Sequence, residues 1–211
     1  CYTHKLLTGR FDRFDTLRKE NGISGFMRPS ESEHDPFITG HSSNSISAAY
    51  GIYKAKQLLG EEGTTVAVIG DGALTGGMAY EALNNVGNEK SNFVVTLNDN
   101  EMSISEPIGG IHKMLNGIRG NSNYINTKLN LKNLLNRKGL RWLYRFSRAT
   151  KNAFKSLFYQ SNIFEDLSLE YLGPYDGHNI KELEKAFESA KKMDKSVVIH
   201  VRTKKGKGYK F

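Results

Sequence analysis

Thr64-Thr65-Val66-Ala67-Val68-Ile69 is an apolar, β-branched run that stops abruptly at Gly70-Asp71-Gly72. After it, Met78, Ala79, Ala82 and Leu83 recur at helical spacing between about Gly76 and Val86, and Gly87 closes the stretch. Asn92-Phe93-Val94-Val95-Thr96-Leu97 is a second β run, and it ends at Asn98-Asp99-Asn100. Strand, helix and strand within about 34 residues make a βαβ unit, which predicts parallel strands joined by a right-handed crossover.

Working outward, Ser45 to Leu59 carries Ile46, Ala49, Ile52, Tyr53 and Leu59 on one side and stops at Gly60. Ile180 to Met193 is a further amphipathic helix with Leu183, Ala186, Phe187 and Ala190 inward, followed by the strand Ser196 to Val201. Uninterrupted apolar strands alternating with helices predict an α/β fold: a doubly wound, mostly parallel sheet flanked by helices on both faces. Such sheets bind ligands beyond the carboxyl ends of their strands, where the polar tripeptides at 70–72 and 98–100 lie.

Charge points elsewhere at first. The 211 residues hold 30 Lys and Arg against 22 Asp and Glu, a formal charge of +8 that would suit nucleic acid or an anionic membrane. Eleven of the basic residues lie between Pro107 and Phe164, where there is no Asp or Glu, and the rest of the chain has a net charge of −3. The cationic character therefore belongs to one Asn-rich segment, read here as a mobile insertion at 107–164 carrying a solvated helix. A basic nucleic-acid-binding module is the competing reading of that segment, but no nucleic-acid module signature accompanies the charge. No apolar run reaches the roughly 18–20 residues of a membrane span. The single Cys1 excludes an internal disulfide framework and a cysteine-cluster metal site. A cytoplasmic protein with neither a nucleic-acid nor a membrane partner is expected.

Twenty-seven residues separate Gly72 from Asn100, and the crossover spans that gap. Neighbouring strands lie about 5 Å apart, so Asp71 and Asn100 can converge on one point. A carboxylate oxygen, an amide oxygen and a backbone carbonyl are hard ligands suited to Mg²⁺ or Ca²⁺, and Mg²⁺ usually leaves its other positions to phosphate oxygens and water. Gly72 and Ala73 leave room for a phosphate against backbone N–H groups. The pattern predicts a metal-bridged diphosphate at the strand tips.

Gly70-Asp71-Gly72 followed by Asn100 resembles the thiamine diphosphate signature. The surrounding phrases are narrower: Asn98 to Ser105, Gly40-His41-Ser42-Ser43, Ser30 to Asp35, Gly173-Pro174-Tyr175-Asp176-Gly177-His178 and Lys204 to Tyr209. Together they resemble the 1-deoxy-D-xylulose-5-phosphate synthase family along the whole chain, fading only within the basic segment. Other transketolase-like thiamine diphosphate enzymes share the metal motif but not these phrases, and they form the alternative assignment.

The resemblance implies that Asp71 and Asn100 ligate Mg²⁺, with the Met102 backbone carbonyl as the third protein ligand. It places Gly72 and Ala73 against the diphosphate of thiamine diphosphate, Gly40, His41 and Ser42 on the cofactor at the start of the 45–59 helix, and Tyr209 beside it. Asn100 belongs to both the metal and the cofactor set. Ser42 or Ser43 also suits an N-cap of that helix. His4, His34, His112 and His200 show no metal-ligand spacing, and His178 is read as a turn residue. The implied reaction joins pyruvate, with loss of CO₂, to D-glyceraldehyde 3-phosphate in isoprenoid precursor, thiamine and pyridoxal biosynthesis, and the family's enzymes are homodimers. Against the family pattern the chain reads as a fragment of the N-terminal domain. A Gly-His-Gln element and the first strand of the sheet are expected upstream of Cys1, and two further domains downstream. No catalytic residue is assigned within these 211 residues, and the chain alone is expected to be inactive.

Overall fold

A computed structural model describes residues 1–38, 40–89, 93–100, 102, 110 and 163–210. The basic segment read at 107–164 therefore lies outside the described residues, apart from Gly110, Ile163 and Phe164. Four parallel strands form one sheet: β1 (Thr65–Gly70), β2 (Phe93–Asp99), β3 (Glu170–Asp176) and β4 (Val197–Arg202), in the order β1-β2-β4-β3. The helices are α1 (Tyr2–Lys5), α2 (Ser45–Leu59), α3 (Asp71–Leu74), α4 (Gly77–Gly87), α5 (Ile163–Asp166) and α6 (Ile180–Lys191).

The central strands are mostly apolar because helices cover both of their sides. Alternate residues Phe93, Val95 and Leu97 of β2 join Val198 of β4 in a core shared with Ile46, Ala49 and Tyr53 of α2 and with Ala79, Leu83 and Val86 of α4. The other alternation, Val94 with Val197, Ile199 and Val201, packs on Ala186 and Ala190 of α6. Phe93 meets the rings of Tyr50 and Tyr53 edge-on at centroid separations of 6.2 and 5.8 Å. Such aromatic pairs add about 0.5–1.5 kcal/mol beyond burial.

The expected covering of both faces fails at the edge. In β1 only Thr65, Ala67 and Ile69 are buried, while Val68 is 61% exposed and Val66 also faces outward. The strand β3 is absent from the sequence-based expectations because its Gly173-Pro174 pair signals a turn. It is an edge strand, where a residue without N–H is tolerated, and its pairing with β4 shifts register between Leu172 and Tyr175.

Helix ends follow local chemistry. Gly60 caps α2 in the left-handed region, at φ +68°, as expected. Gly87 instead lies inside α4, and Asn88 caps the helix without leaving the right-handed region. Glycine is needed at 87 because a Cβ there would fall on the Leu167 carbonyl. Asn179 caps α6, its side-chain oxygen accepting from the Glu182 N–H.

Before α2 the chain forms α1, the helical turns Leu6–Arg10 and Phe11–Thr16, and an irregular stretch reaching Asn44. Buried charge holds this part together. Arg10 donates to both oxygens of Asp35 at 2.6 and 2.8 Å, and Lys5 Nζ lies 2.5 Å from Glu31. His4 Nε2 meets Asp35 at 2.9 Å, and the Arg28 N–H donates to the same carboxylate at 2.8 Å. The Arg10 guanidinium, helped by the Arg28 N–H and His4, holds the Asp35 carboxyl well below the usual carboxylate range despite burial. Burial pushes the Glu31 carboxyl up, but Lys5 and the Ser24 N–H outweigh it and leave Glu31 low.

Carboxylates held low stabilise the fold above their unfolded pKa of about 4, and that stability is lost as pH falls toward the folded value. The melting temperature is therefore expected to be level above about pH 5 and to fall progressively below about pH 4. Asp35→Asn leaves Arg10 buried against a neutral amide, with an expected loss of about 3–5 kcal/mol at neutral pH and a shallower acid limb. Thermal melts of both proteins from pH 3 to about pH 8 check this.

Candidate functional site

Pairing between β1 and β2 decides which residues meet. Thr65 faces Phe93 and, five steps along, Gly70 faces Asn98. The two strands thus end side by side, and Asp71 and Asn100 each begin the chain beyond adjacent tips. Asp71 opens α3 and is buried, while Gly72 and Ala73 form the next residues of that short turn. Asn100 follows β2 directly, and its side-chain oxygen accepts the Met102 N–H at 3.0 Å. That bond fixes the amide orientation and leaves the oxygen a second lone pair for a cation.

The Gly40–Ser43 stretch is drawn to the same place. The Ser43 hydroxyl donates to the Ala73 carbonyl at 2.7 Å, and a Cβ on Gly76 would fall on the Ser43 side chain. Ser43 is therefore the contact between the two glycine-containing turns, and it adopts φ +69° to make it. Neither Ser42 nor Ser43 caps α2: the N-cap is Asn44, without a side-chain cap bond, because the Ser43 hydroxyl is used on Ala73. Gly40, His41 and Ser42 are exposed just ahead of the helix.

The tip of β2 is held from β4. Thr203 Oγ1 donates to the Asn98 side chain at 2.8 Å, and the Thr203 N–H donates to the Asp99 carbonyl at 2.8 Å. Beneath the tip, Asp99 is buried with its carboxylate 2.9 Å from His200 Nε2. Sequence reasoning passed over His200 because it looked for metal-ligand spacing along the chain. The signal was a histidine inside an otherwise apolar strand, which needs partners on neighbouring strands. His178 does serve a turn: its N–H bonds Asp176 and its Nε2 accepts the Lys204 N–H at 2.8 Å, joining the end of β3 to the segment after β4. Tyr209 is 74% exposed in a turn closed by its N–H on the Gly206 carbonyl.

The donor chemistry at the tips fits a hard divalent cation with phosphate. Asp71 offers a carboxylate, Asn100 an oriented amide oxygen and Met102 a carbonyl. A Cβ on Gly70 or Gly72 would meet nothing within 4 Å, so the backbone there is open to an approaching anion. Among the described residues there is no group of three or more His, Cys, Asp and Glu that could hold a metal. A hard cation such as Mg²⁺ usually completes its coordination with phosphate oxygens and water.

The architecture matches that of transketolases. The solved transketolase from Leishmania mexicana superposes with a TM-score of 0.58 at 18% sequence identity, over 91% of this chain and 24% of that one. That likeness shows the fold: a transketolase-like parallel α/β sheet flanked by helices. Sequence comparison is narrower. A family model described as 1-deoxy-D-xylulose-5-phosphate synthase matches residues 1–203. The proteins of that name from Clostridium kluyveri and Caldanaerobacter subterraneus are each 50% identical over 100% of this chain, and that from Treponema pallidum is 48% identical. The chain belongs to the 1-deoxy-D-xylulose-5-phosphate synthase family, and it spans about 34% of the length of these relatives.

The contact between the two turns makes a prediction about stability. Gly76→Ala should cost about 1–3 kcal/mol by displacing Ser43, and adding Ser43→Gly, which removes the obstructing atoms, should recover part of the loss. Urea unfolding of the wild type, the single variant and the double variant measures it. Equal losses in the single and double variants would show that Ser43 does not seat against Gly76.

Proposed function

We propose that this chain is the metal- and diphosphate-holding part of a thiamine diphosphate-dependent transferase that joins pyruvate, with loss of CO₂, to D-glyceraldehyde 3-phosphate. The reaction would supply isoprenoid precursor, thiamine and pyridoxal synthesis, in a cytoplasmic homodimer. The observation that carries this reading is the register of β1 on β2, which sets Gly70-Asp71-Gly72 beside Asn98-Asp99-Asn100. No helix among the described residues is long and apolar enough to cross a membrane.

In this reading Asp71, the Asn100 side-chain oxygen and the Met102 carbonyl hold Mg²⁺. Gly72 and Ala73 receive the diphosphate against their backbone, and Gly40, His41 and Ser42 line the cofactor from the other side of the Ser43–Ala73 contact. Tyr209 belongs to the same set if the segment after β4 folds over the tips when ligand binds. Thiamine diphosphate, when bound, supplies a stabilised carbanion for breaking and making carbon–carbon bonds. The protein's own part here is to orient: the buried Asp71 and the amide of Asn100, fixed by the Met102 N–H, present oxygens without first having to be ordered. In this reading no group that handles the carbon chemistry is assigned within this chain.

Two measurements test the proposal. Titration calorimetry with thiamine diphosphate should give heat only when Mg²⁺ is present, and Asp71→Ala should weaken binding by at least about tenfold. Identical heats with and without Mg²⁺, or in wild type and variant, would contradict it. The 211-residue chain by itself should release no CO₂ from pyruvate in the presence of glyceraldehyde phosphate, cofactor and Mg²⁺.

A further inference from the structure

Three buried polar side chains run as a line across the sheet beneath the strand tips. Tyr171 of β3, His200 of β4 and Asp99 of β2 are all nearly inaccessible to solvent. The Tyr171 hydroxyl lies 2.5 Å from His200 Nδ1, and His200 Nε2 lies 2.9 Å from Asp99 Oδ2. The strand pairing accounts for the line. His200 faces Leu97, so Asp99, two residues on, projects from the same side of the sheet. Tyr171 faces Val198, two residues before His200, and so shares that side as well. A carboxylate can only accept, so Nε2 carries a proton toward Asp99, while Nδ1 is the ring atom that meets the tyrosine hydroxyl.

Burying this chain in an apolar sheet is costly unless every member is satisfied. A leucine at 200 would fill the same interior without that demand. What the histidine adds is a fixed position for Asp99, whose neighbours on either side, Asn98 and Asn100, are half-buried. Asn98 is tied to Thr203, whose N–H also holds the Asp99 carbonyl. Asn100 is the first residue beyond the last residue of β2.

We infer that His200 is a positioning residue for the strand-tip cation site: by holding Asp99 from below, with Tyr171 locking the ring, it fixes the end of β2 and so sets where Asn100 presents its amide oxygen. The inference rests on the reading of the tips as a Mg²⁺–diphosphate site. It assigns His200 no contact with substrate, cofactor or metal.

The test separates the two ring nitrogens. His200→Gln keeps a donor at the reach of Nε2 toward Asp99, whereas His200→Asn places its amide near the position of Nδ1 and withdraws from Asp99. Both variants and the wild type are titrated with Mg²⁺ at fixed thiamine diphosphate by calorimetry in the full chain, with far-ultraviolet circular dichroism and apo melting recorded alongside. His200→Asn should raise the Mg²⁺ concentration for half-saturation by about tenfold or more. His200→Gln should return it most of the way, and saturating Mg²⁺ should restore thiamine diphosphate affinity in both. A purely structural role would lower the apo melting temperature of the two variants without separating their Mg²⁺ dependence, and that result overturns the inference. Tyr171→Phe, which removes only the hydroxyl, should shift the Mg²⁺ midpoint in the same direction by a smaller factor. If neither histidine variant folds, an unshifted midpoint in Tyr171→Phe overturns the inference. Wild-type protein that binds no diphosphate at any Mg²⁺ concentration would overturn the reading of the site itself, and the inference with it.

Discussion

The parallel ladder between β1 and β2, with Gly70 opposite Asn98, is the constraint on which the rest of this molecule depends. Side chains alternate along a strand, so a slip of one residue would exchange the two faces of β2. Phe93, Val95 and Leu97 would then leave the α2–α4 core, and Asp99 would lose His200. The same slip would part the two strand tips. Packing therefore fixes the register, and the register fixes which polar residues emerge side by side. The apolar pattern of the sheet and the chemistry of its tips are one requirement.

Polar groups beneath and beside the tips are held more tightly than folding alone would need. Replacing a buried ion pair by apolar residues of similar volume is often neutral or stabilising. Yet Arg10, Asp35 and Lys5 are kept buried, with Glu31 half-buried beside them, in the region that leads to Gly40–Ser43. That cluster fixes the course of an irregular stretch that has no sheet or long helix to define it. Ser43 then closes the gap by bonding Ala73, at the expense of a left-handed backbone. On the far side, Thr203, His200 and Tyr171 do the corresponding work for β2. Each arrangement exchanges easy packing for a defined position.

Much of this was legible in the sequence, for identifiable reasons. The β1–α4–β2 unit, α2 with its Gly60 cap, and α6 leading into β4 all announce themselves by apolar period and by glycine or asparagine at their ends. The adjacency of the β1 and β2 tips, with Gly70 opposite Asn98, followed from the crossover between parallel strands. What stayed hidden depends on contacts between distant residues. Gly87 read as a helix stop, whereas its lack of a Cβ serves the approach of Leu167. The Gly173-Pro174 pair concealed β3, because turn chemistry and edge-strand tolerance share those residues. Ser43 suited a cap as well as Ser42 did, and His200 was noted only for lacking metal-ligand spacing, since the sequence does not display their partners 30 and 101 residues away. The strongest compositional signal, the net charge of +8, pointed to a segment that lies outside the described residues apart from Gly110, Ile163 and Phe164.

The central claim is that the tips of β1 and β2 together hold one divalent cation against a diphosphate. Its most direct measurement is a crystal structure of the protein grown with thiamine diphosphate and Mn²⁺ in place of Mg²⁺, with data collected to locate manganese by its anomalous scattering. The account predicts a single strong peak coordinated by Asp71, by the side-chain oxygen of Asn100 and by the Met102 carbonyl, with diphosphate oxygens completing the shell. A cation found elsewhere, or a diphosphate bound at these tips with neither Asp71 nor Asn100 on the metal, would contradict it.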